Sequence, residues 1–139
     1  MGIPARIEGA MQTLSEPYPQ RVMVEDEYSV SAIRQEVREL ARVVGLGRTQ
    51  QAKITAATSM IAKGLVINHW TGMFTIQPAH QGLRSGIEVS CLPPEGEGQA
   101  GELGLIEALS LGEARLLVDE ARLTYPAGRP QVTLRIWLS

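Results

Sequence analysis

The triplet Gly45-Leu46-Gly47 constrains this chain more than any other stretch. Apolar residues recur at helical spacing on both sides of it. Ile33, Val37, Leu40 and Val44 come before it, and Ile54, Thr58, Ile61 and Leu65 lie along one face after it. Residues three and four apart share a helix face, so each run describes one core-facing stripe. Gly45 ends the first stripe at the left-handed position that glycine occupies cheaply. The segment therefore reads as two helices joined by a short turn, each needing something to cover its stripe.

Alternating segments supply that cover. QRVMVEDEY (20–28) reads as a strand, after which Ser29 or Ser31 can cap the first helix. Thr49 can cap the second, which runs to about Asn68. There Ala52, Ala56, Ser59 and Ala62 are small enough to admit a close neighbour. GMFTIQP (72–78) and GIEVSCL (86–92) read as strands around a loop at 79–85. PPEGEGQAGELG (93–104) contains Gly96, Gly98, Gly101, Gly104 and two prolines, a density that predicts a loop. Ser110 and Glu113 have the spacing of a capping box, predicting a helix to about Ala121. A strand at 122–125, a turn at 126–130 and a cleanly alternating strand at 131–138 follow. This order predicts an α+β two-layer sandwich, with a mixed, mostly antiparallel sheet and helices on one face. Residues 1–19 read as an N-terminal arm and 20–139 as one domain.

Composition narrows the function classes. The chain has 139 residues and a net charge of −2, so no strong basic field attracts nucleic acid or an anionic membrane. Aromatic residues make up 4%, too few for base-stacking platforms. No apolar run approaches the ~20 residues of a membrane span. The start, MGIPARIEGAMQTLSEPYP, has no apolar core of signal-peptide length. Cys91 is alone, so no internal disulfide forms, which fits a reducing cytoplasm. His69 and His80 have no carboxylate or thiol partner at ligand spacing, which argues against a metal site. Cys91 reads as a small core residue and His69-Trp70 as a packed helix end.

TSMIAKG (58–64) carries the functional question. Met60 and Gly64 are one turn apart on the second helix, and a mid-helix glycine costs about 1 kcal/mol relative to alanine. GLGRTQQAKITAATSMIAK, the later GELG, and EARLLVDEARL together resemble the anti-sigma serine/threonine kinases of bacterial partner-switching modules, RsbT-type in particular. The resemblance covers about residues 22–138 and implies the GHKL (Bergerat) ATPase fold. In that family a glutamate and an asparagine stand where Met60 and Gly64 stand here, the first activating a hydroxyl or water and the second holding Mg²⁺. Methionine cannot take a proton, and glycine offers no side-chain oxygen to a hard cation. The family's adenine-reading aspartate falls on Pro93 or Pro94, with Glu95 or Glu97 able to substitute only after a shift. Its threonine at the start of the last strand falls near Pro130 and Gln131.

Three departures at base, metal and catalytic positions imply a domain that has lost ATP hydrolysis, with no catalytic residue. The remaining candidates for a nucleotide pocket are Gly64, Asn68, Gly96, Gly98, Gly101 and Gly104. If that pocket persists, ATP or ADP with Mg²⁺ is its cofactor. Asn68 can replace the missing ligand or simply end the helix. Met60 is expected to be mostly buried, filling the space of the absent groups. The resemblance implies a cytoplasmic regulator whose partner is a STAS-domain antagonist, a sigma factor or a second copy of the chain. The alternatives are an active kinase with shifted motif residues and an unrelated α+β ligand-binding module.

Overall fold

The computed structural model describes residues 18–93 and 101–138, and the backbone alone at 101–103. The predicted arm, apart from Tyr18 and Pro19, lies outside the described residues. The first strand, β1 (Gln20–Val24), is shorter than its alternating run predicts because Asp26 diverts the chain into a helix. The Asp26 carboxylate accepts the Ser29 amide at 2.8 Å, and the Ser29 hydroxyl accepts the Asp26 amide at 3.0 Å. This reciprocal cap satisfies two amides that a helix start leaves without partners. Ser29 is thus the third residue of α1 (Glu27–Val44) and Ser31 lies inside it, so neither is the cap. Gly45 ends α1 at φ +97°, in the left-handed region.

The second helix, α2 (Arg48–Ile67), starts at Gly47 with no side-chain cap, and Thr49 lies within it. Its burial extends well beyond one stripe. Ile54, Ala57, Thr58, Ile61, Ala62 and Leu65 are fully buried, because α1, the sheet and the later helices surround it. Burying a leucine or isoleucine completely contributes about 1.5–3 kcal/mol.

β2 (Gly72–Gln81) and β3 (Arg84–Leu92) form one continuous hairpin. The expected loop at 79–85 is instead ladder, with Ala79, His80 and Gln81 paired to Gly86, Ser85 and Arg84. Gly82 at φ +61° permits so tight a turn with Leu83. After β3 come α3 (Gly101–Ala108), the single-turn α4 (Leu111–Ala114), β4 (Glu120–Thr124), a 3₁₀ turn at Pro126–Gly128 and β5 (Gln131–Trp137). The loop expected across 93–104 therefore gives way to helix at 101. The expected capping box also fails. Ser110 sits at φ 56° with no side-chain cap bond, and its amide closes α3 onto the Glu107 carbonyl at 3.2 Å. The last helix stops at Ala114 rather than Ala121. Asp119 is taken into the sheet margin, where its amide reaches the Arg135 carbonyl at 3.0 Å and its carboxylate accepts the Trp137 amide at 2.7 Å.

The sheet order is β1-β2-β3-β5-β4, antiparallel at every pairing. Its inner face buries Phe74, Ile76, Ile87, Val89, Cys91, Val132, Leu134 and Ile136 in a single core with α1 and α2. Thr75, Gln77, Glu88, Ser90, Thr133 and Arg135 are polar residues at alternate positions. Arg135 pairs with Glu88 at 2.9 Å and with Glu120 at 3.3 Å across neighbouring strands. The fold is an α+β sandwich of one sheet with helices on one face, and the sheet is wholly rather than mostly antiparallel.

Candidate functional site

Met60, Gly64 and Asn68 follow one another along α2 at one-turn intervals, and the structure gives them three different surroundings. Met60 is half-buried. It lines an open groove of about 330 Å³ between α1 and α2, together with Arg34, Arg38, Thr55, Ser59 and Lys63. Most of its surface is withdrawn from solvent, as expected, but it lies on the flank of α2 that faces α1, where long side chains of α1 border the groove. Among the described residues, no groove-lining side chain is a carboxylate.

Gly64 is buried, and backbone covers it. A Cβ there would overlap the Ala108 carbonyl oxygen and sit 3.0 Å from Leu109 Cα. The end of α3 thus meets α2 backbone to backbone at Gly64. Asn68 is exposed and ends α2. Its Nδ2 donates to the Gly64 carbonyl at 2.8 Å, and its own amide also turns back to Gly64.

The glycine candidates divide. Gly96 and Gly98 lie outside the described residues, as do Pro94, Glu95 and Glu97. Gly101 is the first residue of α3, and Gly104 lies within it, half-exposed. Pro93 is buried at the end of β3. Pro130 is buried, while Gln131 opens β5 with Nε2 3.3 Å from Thr133 Oγ1.

His69 is exposed at φ 60°, so the packed helix end is Trp70 alone, whose amide bonds the Leu65 carbonyl at 2.9 Å. His80 Nδ1 lies 3.2 Å from Ser85 Oγ. Among the described residues no three His, Cys, Asp or Glu side chains group as metal ligands would. Cys91 is 1% exposed, and burial pushes its thiol far above the ordinary range, which leaves it a core residue. No described helix is long and apolar enough to cross a membrane.

Two features escape a reading of the sequence alone. One is the approach of Ala108 and Leu109 to α2, for which Gly64 was the only signal. The other is Thr55, 3% exposed, whose Oγ1 has no hydrogen-bond partner among the described residues. Threonine on a helix looks unremarkable until its neighbours are known.

Among solved structures the chain is similar to the RsbU and RsbW domains of Rv1364c from Mycobacterium tuberculosis. The TM-score is 0.55 at 20% identity, over 84% of this chain and 32% of that one. At that identity the likeness is one of fold, and this chain spans about a third of that chain's length. No protein-family model matches the sequence, and no curated protein does.

Proposed function

We propose that residues 20–139 form a regulatory domain of the RsbW or RsbT type that acts by binding a protein partner and does not turn over ATP. Residues 1–19 are its N-terminal arm. One observation carries this reading: at Gly64 the backbone of Ala108 and Leu109 occupies the space into which a metal-holding side chain would project. Hydrolysis of ATP needs a general base and a cation at the transferred phosphate. At these positions the chain has a thioether and a glycine closed over by α3. The likeness of fold to an RsbU/RsbW structure supports the class of protein, and the partner class follows from it: a STAS-domain antagonist, a sigma factor or a second copy of the chain. The same likeness supports a cytoplasmic setting.

The test is phosphotransfer. The full chain is incubated with Mg²⁺ and γ-labelled ATP, alone and with a STAS-domain protein carrying an acceptor serine. The expected result is no labelled protein and no phosphate release above a buffer blank, while co-sedimentation or calorimetry detects a complex with one of the partner classes. Metal-dependent turnover that co-purifies with the chain through two independent separations would overturn the reading.

A further inference from the structure

Thr55 and Gly64 are nine residues apart on α2, about two and a half turns, so they leave the helix on opposite sides. On the Thr55 side lies the groove between α1 and α2. Thr55 lines it while 97% withdrawn from solvent, and its Oγ1 is unpaired. Thr58, three residues on, shows the ordinary use of a buried helical threonine: its hydroxyl donates to the Ile54 carbonyl at 2.8 Å. A buried hydroxyl without a partner is unfavourable and uncommon, and calls for a reason.

The groove supplies one. Arg34 and Arg38, one turn apart on α1, line it together with Lys63 and Ser59 of α2. None of these three cations has an ion-pair partner among the described residues. The contrast lies on the same helix, where Arg42 pairs with Glu39 at 2.5 Å. The carboxylates of Glu36 and Glu39 act on Tyr18, which lines a different groove with Leu40 and Val43. Positive charge therefore collects on one flank of α1 with no ion-pair partner among the described residues.

We propose that this groove binds a phosphate-type oxyanion, with Arg34, Arg38 and Lys63 supplying charge and the hydroxyls of Thr55 and Ser59 supplying donors at its floor. The number of donors selects the ligand class. A phosphate monoester carries up to two charges and three acceptor oxygens, which match two guanidinium forks, an ammonium and two hydroxyls. A carboxylate, with one charge and two oxygens, would leave most of them unmet. The same chemistry can arrive as a phosphorylated side chain of a protein partner or as a free phosphate monoester. The proposal does not depend on whether ATP is hydrolysed, because release of phosphate from ATP reads the one and an anion titration reads the other.

The experiment titrates inorganic phosphate, and separately a phosphoserine peptide, into the full chain at constant ionic strength set with chloride. Amide chemical shifts along α1 and α2 are followed. The expected result is saturable shifts centred on Thr55 and Ser59. Thr55→Val should melt higher than the parent, because it removes an unpaired hydroxyl at nearly constant shape, and should bind phosphate at least tenfold more weakly. Arg38→Gln should weaken phosphate similarly with an unchanged melt. A peptide that binds tighter than inorganic phosphate assigns the source to a protein partner, and equal affinity assigns it to a free phosphate. Three results would each overturn the proposal: no saturable shift at tens of millimolar phosphate, a Thr55→Val variant that binds phosphate as the parent does, or one that melts lower, which would mean the hydroxyl is already engaged.

Discussion

Gly64 shows how a single residue can carry opposite expectations until its neighbours are known. Helix propensity alone says that Gly64→Ala should stabilise by about 1 kcal/mol. The Ala108 carbonyl oxygen reverses that sign, because the new methyl group would overlap backbone, which cannot rotate away as a side chain can. Overpacking of this kind costs about 1–3 kcal/mol. We expect Gly64→Ala to lower the denaturant midpoint by the equivalent of about 1–2 kcal/mol at unchanged slope. Gly47→Ala is the control: nothing lies within 4 Å of its Cβ position and its φ is −68°, so its midpoint should hardly move. A rise in the Gly64→Ala midpoint would mean that α3 does not rest on α2. The same contact decides what happens when the groups that the resemblance implies are introduced. Met60→Glu should fold, since position 60 is partly exposed and borders three cations. Adding Gly64→Asn should lower the melting temperature relative to Met60→Glu alone and restore no ATP hydrolysis. Turnover by the double variant would show that the 108–109 backbone can move aside.

Elements were legible in the sequence where their determinants are local. Gly45 and the apolar stripes of α1 and α2 lie within a few residues of what they specify, as does the alternation of β5. The cap of α1 is Asp26, which the alternating run 20–28 places at the end of a strand, so local pattern points to the serines that follow it. Its role has a pH consequence. Hydrogen bonds from Ser29 hold the Asp26 carboxyl below the usual carboxylate range. A depressed folded value means that the cap's contribution is complete above the unfolded pKa of about 3.9 and fades as pH falls through the lower folded value. Asp26→Asn keeps an acceptor but cannot ionise. It should therefore melt below the parent at pH 6, with the gap closing as pH falls below the unfolded pKa of about 3.9; a gap that stays constant would rule out the charged cap. Elements whose ends depend on distant partners were not legible. The helix expected to reach Ala121 ends at Ala114 because Asp119 and Glu120 meet Trp137 and Arg135, residues that no window around them contains. The site divides in the same way: the mid-helix glycine of TSMIAKG is visible in the sequence, whereas nothing near it foretells Ala108.

At the scale of the whole molecule, the order β1-β2-β3-β5-β4 sets a gradient of stability. β3 is hydrogen-bonded on both sides and buries Ile87, Val89 and Cys91 beneath the helices. β1 and β4 are edge strands of five residues each, and β4 leaves Arg122 and Thr124 exposed. Opening an edge breaks one ladder and exposes little apolar area, whereas opening β3 breaks two and exposes the core, so its amides should exchange only by global unfolding. Cys91 tests this without isotopes. It is the only cysteine in the chain, it lies on β3 opposite Phe74 and Val132, and its thiol is sealed from reagent. Labelling it with a thiol reagent under conditions of rapid reclosing yields an opening free energy, which should equal the value extrapolated from denaturant. Gly64→Ala should lower both by the same amount, because it acts on the global equilibrium. Labelling more than tenfold faster than global unfolding allows would mean that the hairpin separates from β5 while the helices remain folded, and the gradient drawn from the sheet order would be wrong.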